Sequence, residues 1–270
     1  MHFAETGQTV SPSSIQAAFV PGGQLKSAAI PADMSESARL AETTEGDKVR
    51  WFKRFGYSDC VTVTREMPGE GEFPIIITID YGEGCVGKHG RERKGKIIIN
   101  YTDRRFVPGA VHVITFEDFY VDGKKVEGTR IRTNISDSVE DYLKFRIELT
   151  EGKVTWEDGS FATREAVWET SRVRTPNPIN DERIRTGSAS GVNREGLTYT
   201  VTITKAIVWK RGCLPAKRIM IPVEGIKVKE FEDGKSISID YGDGTCDNDV
   251  TITRDGVTET VELKKHKRNG

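Results

Sequence analysis

The sequence predicts an all-β fold, an antiparallel meander forming a β-sandwich or an open barrel, and three observations carry that prediction. Beyond about residue 49 apolar and polar residues alternate with a period of two. Asp-Gly pairs separate the alternating runs, and one nine-residue motif occurs twice. Alternation of this kind marks half-buried strands, because successive side chains leave opposite faces of the pleat.

Taken in chain order, residues 1–50 stand apart. Phe3 and Phe19 are their only aromatics, and Ser, Ala, Glu and Thr dominate between scattered Gly and Pro. Such a segment buries too little apolar surface to offset its ordering entropy. It reads as a flexible leader or tether, with a short helix at Met34–Leu40. Alternation then sets in. Ile75, Ile77, Ile79 and Tyr81 share one strand face against Thr78 and Asp80. Tyr199, Val201, Ile203, Ile207 and Trp209 alternate with Thr198, Thr200, Thr202 and Thr204. Ile237, Ile239 and Tyr241 oppose Ser236, Ser238 and Asp240, and Val257, Val261 and Leu263 face together near the end.

Asp122-Gly123, Asp158-Gly159, Asp233-Gly234 and Asp255-Gly256 read as two-residue hairpin turns of the primed types, which need positive φ. Glu151-Gly152 and Glu195-Gly196 read as looser turns. Strands joined this tightly pair antiparallel. The polar stretch from Pro176-Asn177-Pro178 to Asp181 reads as a seam. It divides a first β half (51–175) from a second (182–270) within one continuous β domain, 51–270.

The repeat organises the cysteines. Ile77-Thr78-Ile79-Asp80-Tyr81-Gly82-Glu83-Gly84-Cys85 recurs as Ile237-Ser238-Ile239-Asp240-Tyr241-Gly242-Asp243-Gly244-Thr245-Cys246. With Thr245 as an insertion, seven of nine positions are identical. Each copy has a cysteine upstream, Cys60 and Cys213. Four cysteines allow three pairings, and an internal two-fold repeat selects Cys60–Cys85 with Cys213–Cys246. Zinc sites usually bring cysteines in close pairs, which are missing here, so the repeat favours disulfides over zinc and over free thiols.

Composition narrows the function classes. Forty basic against forty-one acidic residues give a formal charge of −1, which offers no electrostatic excess for a nucleic-acid partner. The run Lys264 to Arg268 reads as a solvated end. The sequence holds no apolar stretch of about 18 residues that could span a membrane as a helix. The N-terminus lacks the basic and apolar regions of a secretory signal, so an export signal is expected upstream of Met1.

The repeat also carries a resemblance. The stretch Ile77 to Cys85 is followed by Gly90-Arg91 and Gly95-Lys96-Ile97. Further matching segments are Pro108 to His112, Val121 to Arg130, and Asp240 to Asn248. Together, over roughly residues 58–263, the chain resembles a family of Bacteroidetes cell-envelope lipoproteins with no established activity. The resemblance implies a secreted, lipid-anchored β protein of the periplasm or cell surface, touching a membrane only through that anchor. The family's lipid-modified cysteine has no counterpart here, since no cysteine precedes Cys60.

Candidate chemistry is sparse. Asp240, Asp243, Asp247 and Asp249 form the densest carboxylate group and could serve calcium, which takes several oxygen ligands from a flexible loop. The competing reading is a tight turn in which Asp80 and Asp240 accept hydrogen bonds from nearby amides. The histidines are His2, His89, His112 and His266; His112 sits inside an alternating run and reads as a strand residue rather than a base. No Gly-x-Ser-x-Gly elbow occurs. Trp156 and Trp168, flanking Asp158-Gly159, could present an aromatic platform for a glycan, whereas Trp209 reads as core. The expected function is a non-enzymatic envelope lipoprotein that binds a glycan or scaffolds another envelope protein. The alternative is a carbohydrate-active enzyme on a β scaffold.

Overall fold

The computed structural model describes residues 60–87, 90–138, 143–213 and 222–262. The leader 1–50, Trp51, His2, His89, His266, Leu263 and the basic tail lie outside them. Among the described residues fourteen strands form one antiparallel sheet, in sequence order apart from the short β3. They are β1 (Thr62–Glu66), β2 (Ile75–Asp80), β3 (Cys85–Val86), β4 (Glu92–Tyr101), β5 (Val111–Val121), β6 (Lys124–Asn134) and β7 (Leu143–Thr155). The second half continues with β8 (Phe161–Val173), β9 (Glu182–Val192), β10 (Thr198–Lys210), β11 (Glu224–Phe231), β12 (Ser236–Asp243), β13 (Asp249–Arg254) and β14 (Val257–Glu262). The fold is the expected all-β meander. It is open, because the first and last strands are not joined.

The Asp-Gly pairs divide into two kinds. At Asp122-Gly123 and Asp255-Gly256 both residues have positive φ, 50° and 75° in the first and 47° and 87° in the second, as a two-residue primed turn requires. At Asp158-Gly159 and Asp233-Gly234 only the glycine does. There the aspartate accepts a hydrogen bond from the amide two residues on, Ser160 at 3.0 Å and Lys235 at 3.2 Å, and the turn is longer. Glu195-Gly196 does close a turn, with the Gly196 amide donating to the Asn193 carbonyl.

Glu151-Gly152 is not a turn. It lies inside β7, where the pairing with β8 slips between Leu149 and Gly152 and Glu151 takes a φ of 53°. A mid-strand glycine marks a bulge as readily as a turn, and the strand continues through it. Similar slips interrupt β4 against β5, β6 against β7, and β10 against β9 and β11. The backbones touch at these places. A Cβ on Gly95 would stand 2.0 Å from the Asp118 carbonyl oxygen, and one on Gly187 would stand 2.1 Å from that of Val167. Bulges bend strands and raise their twist, which lets a sheet this wide coil rather than lie flat.

Asn177 caps a 3₁₀ turn at Pro178–Asn180, but β8 and β9 on either side pair from Glu165–Ser190 to Val173–Glu182. The sheet therefore runs through the expected seam. Among the described residues four apolar clusters lie along it, the smallest at Cys213 and Val223. Of the other three, Ile75, Ile77, Ile97, Ile99, Ile114 and Phe119 centre the first; Ala166, Ala189, Tyr199 and Val201 the middle one; Ile207, Ile239, Tyr241 and Ile252 the last.

The two motif copies sit on β2 and β12, near opposite edges, with matching local geometry. Asp80 accepts from the Gly82 amide at 2.8 Å and Asp240 from the Gly242 amide at 2.9 Å. Tyr81 and Tyr241 are both buried. The bonds Cys60–Cys85 and Cys213–Cys246 close the copies, with Cα separations of 5.4 and 5.3 Å.

Candidate functional site

The second acidic loop resolves into separate turns. Asp240 accepts from Gly242, Asp243 from the amide and hydroxyl of Thr245, and Asp247 from the amide of Asp249. Thr245 holds the Asp243 carboxyl below the usual carboxylate range. Among the described residues no three His, Cys, Asp or Glu side chains come together as a metal set. The four carboxylates are thus neighbours in sequence that the fold does not converge, and Asp240, Asp243 and Asp247 each turn back onto their own loop.

The two tryptophans are not a shared platform either. Trp156 lies at the β7–β8 turn, half-buried against the first cluster, with the Arg194 guanidinium 4.7 Å from its ring centre. Trp168 is half-buried against the middle cluster, with Arg164 at 5.5 Å. From Phe161 at the turn to Trp168 the strand covers about 23 Å. Trp209 packs half-buried against the last cluster. His112 is buried with its ring 4.4 Å from that of Tyr101. Burial first, and then the positive charges of Arg132 and Arg105, push its pKa down to about 4, so it is neutral at physiological pH.

What the fold does converge is positive charge. Directly paired residues in a sheet share a face. The register therefore carries one face from the Ile99–Ile114 core through Ile114–Arg130, Arg130–Leu149, Leu149–Ala166, Ala166–Ala189, Ala189–Val201 and Val201–Lys229. On this core-side face β6 places Arg130 and Arg132, β8 places Arg164 and Arg172, β9 places Arg183 and Arg185, and β11 places Lys227 and Lys229. One cation pair is direct, Arg172 with Arg183, and Arg185 pairs with Thr170 beside it.

Aromatic rings accompany five of these cations. Arg132 lies 3.7 Å from the ring centre of Phe145, Arg183 4.1 Å and Arg185 5.3 Å from that of Trp209, and Lys229 4.1 Å from that of Tyr199 and 4.4 Å from that of Phe231. Among the described residues no Asp or Glu is within ion-pair distance of Arg132, Arg164, Arg172, Arg183, Arg185 or Lys229. The reverse face differs. There Arg146 pairs with Glu148 at 3.3 Å and Glu169 at 3.7 Å.

The side chains grade from open to enclosed. Arg172 and Arg183 are exposed, Arg130, Arg132, Arg164, Arg185 and Lys227 half-buried, and Lys229 only 4% exposed. Burial and mutual repulsion destabilise their charged forms. Burial, then Arg105, Arg130 and Arg172, lowers Arg132 to about 9. Burial, then Arg183 and Arg130, lowers Arg185 to about 10. Lys227 falls to about 8 through burial and then Arg164, Arg185 and Lys229. Lys229 reaches the same value through burial and then Arg164, with Glu195 opposing.

The sequence carries a signal for this face that a search for catalytic motifs misses. Arg130-Ile131-Arg132, Arg183-Ile184-Arg185 and Lys227-Val228-Lys229 are three cation–aliphatic–cation triplets. A hydrophobic rule applied residue by residue assigns the aliphatic residue inward; the register puts the cations there instead.

No family model, curated protein or solved structure matches the chain.

Proposed function

We propose that this protein is an envelope-associated, non-enzymatic lipoprotein with a binding role, and that it binds through the cationic face of β6–β11. The two disulfides support an oxidising, extracytoplasmic setting. The lipid anchor and the periplasmic or cell-surface address follow from the family resemblance. The observation that carries the binding role is that Arg132, Arg164, Arg185 and Lys229 are enclosed with rings, and among the described residues no carboxylate, beside them. Enclosed charge is costly unless a counter-charge meets it, and groups whose ionisation is strongly perturbed mark candidate functional sites. The enzyme alternative needs two facing carboxylates, and the core-side strand positions of β6–β11 hold none. That favours binding.

A glycan array probed with the purified chain tests the reading. Captured glycans should be released unchanged, and Arg132→Gln/Arg185→Gln should lose the signal. Turnover of a captured glycan would favour the enzyme, and a blank array would remove the glycan. Natively expressed protein should partition into the detergent phase. Recovery in the aqueous phase would remove the anchor.

A further inference from the structure

We infer that the ligand of this face is an acidic polysaccharide, its carboxylate or sulfate groups meeting the cations from the exposed Arg172–Arg183 pair inward. This rests on the binding reading above and names its ligand class.

Extent points to a polymer. From β6 to β11 the cations cross five strand spacings, about 24 Å at roughly 4.8 Å each. A single small anion would neutralise one or two of Arg132, Arg172, Arg183, Arg185 and Lys229 and leave the others repelling. A chain with a charge on each sugar can meet several together.

Chemistry points to charge rather than sugar stacking. A neutral glycan is gripped by open aromatic faces, but here the rings of Phe145, Trp168 and Trp209 are half-buried or buried, with guanidinium groups beside them. An arginine resting on a ring keeps its donor edge free, and that edge matches a carboxylate or sulfate in a two-pronged hydrogen bond. Single-stranded nucleic acid, the other polyanion, needs the same open rings for its bases.

Exposure sets the order of contact. Arg172 and Arg183 form an exposed cross-strand pair where the ligand meets the protein first, and the half-buried Arg185 and Arg132 follow. The rim pair governs capture and its salt dependence, and the enclosed pair governs retention.

The test uses the full chain and isothermal titration calorimetry with oligogalacturonate, sulfated dextran, neutral dextran and oligothymidylate. Both acidic glycans should bind, at least tenfold more weakly at about 0.3 M than at about 0.05 M salt. Neutral dextran should not bind. Arg132→Gln/Arg185→Gln should weaken binding at least tenfold, as should Arg172→Gln/Arg183→Gln, which changes only exposed side chains and so does not threaten folding. Arg146→Gln on the reverse face should stay within twofold of wild type. Acidic binding untouched by both double variants overturns the site, and oligothymidylate binding tighter than either glycan overturns the ligand class. Neutral dextran bound as tightly and lost in the double variants overturns the acidic assignment while leaving the binding face standing. No binding of any probe overturns both readings.

Discussion

Replacing Lys229 by methionine should stabilise the fold at neutral pH while weakening binding to the cationic face. The lysine is 4% exposed, and burial lowers its pKa from 10.5 to about 8. A difference of that size corresponds to a penalty of about 3 kcal/mol on the charged form at pH 7. Methionine fills a similar volume without charge and removes the penalty. It also forfeits the contacts of the ammonium with Tyr199 and Phe231, worth about 1 kcal/mol. The net gain is about 2 kcal/mol, or about 5 °C in Tm for a chain of this size. The pH dependence is distinctive. Because the folded pKa lies below the unfolded one, the penalty is full below pH 8 and disappears as pH rises from about 8 to 10.5. Thermal melts followed by circular dichroism at pH 7 and 10.5 would show a stability gap that narrows. A variant less stable than wild type at pH 7, or a gap unchanged at pH 10.5, would refute the view that this face holds charge at a cost.

Other perturbations test the fold and the remaining candidates. Gly95→Ala would drive a Cβ to 2.0 Å from the Asp118 carbonyl at a φ of 77°, so denaturant unfolding should show a loss of about 3 kcal/mol; a loss under 1 kcal/mol would mean the bulge relaxes freely. Replacing Cys213 and Cys246 by serine opens a 33-residue link and should cost about 3.7 kcal/mol in the chain-entropy account, against about 3.5 for the 25-residue link at Cys60–Cys85; chemical denaturation of the two double variants compares them. His112, with its pKa held near 4, should make wild type lose stability as pH falls from 6.5 toward 4, by up to about 3 kcal/mol. His112→Phe should flatten that limb, and an unaltered acid limb would assign it to other groups. Calcium or a chelator should leave the melting temperature of wild type unchanged, since the aspartates of the second motif are spent on their own turns; a calcium-dependent rise that Asp243→Asn abolishes would restore the metal site.

The sequence alone determined the local chemistry: alternation made strands, Asp-Gly and Glu-Gly pairs closed several of the turns, and the duplicated motif chose the disulfides. These are short-range consequences of pleat geometry and chain closure, written in neighbouring residues. Glu151-Gly152 shows where that legibility stops, since a glycine permits a turn and a bulge equally and only the facing strand decides. The acidic loop shows it too. Four aspartates close in sequence look like one site until Asp240, Asp243 and Asp247 are each seen folding onto a different amide.

Which side of a strand faces inward was beyond the sequence. Period two fixes that Ile131 and Arg132 point opposite ways but assigns neither to the core. Pairing through β5 to the isoleucine core makes that choice and carries Arg130, Arg132, Arg185 and Lys229 to the enclosed side. A residue-by-residue hydrophobic rule would have chosen the reverse. Register is a property of the whole sheet, fixed by the cores at its two ends and by the bulges between them. The charge gathered on β6–β11 is therefore decided by the tertiary structure, from residues that in sequence are only scattered pairs.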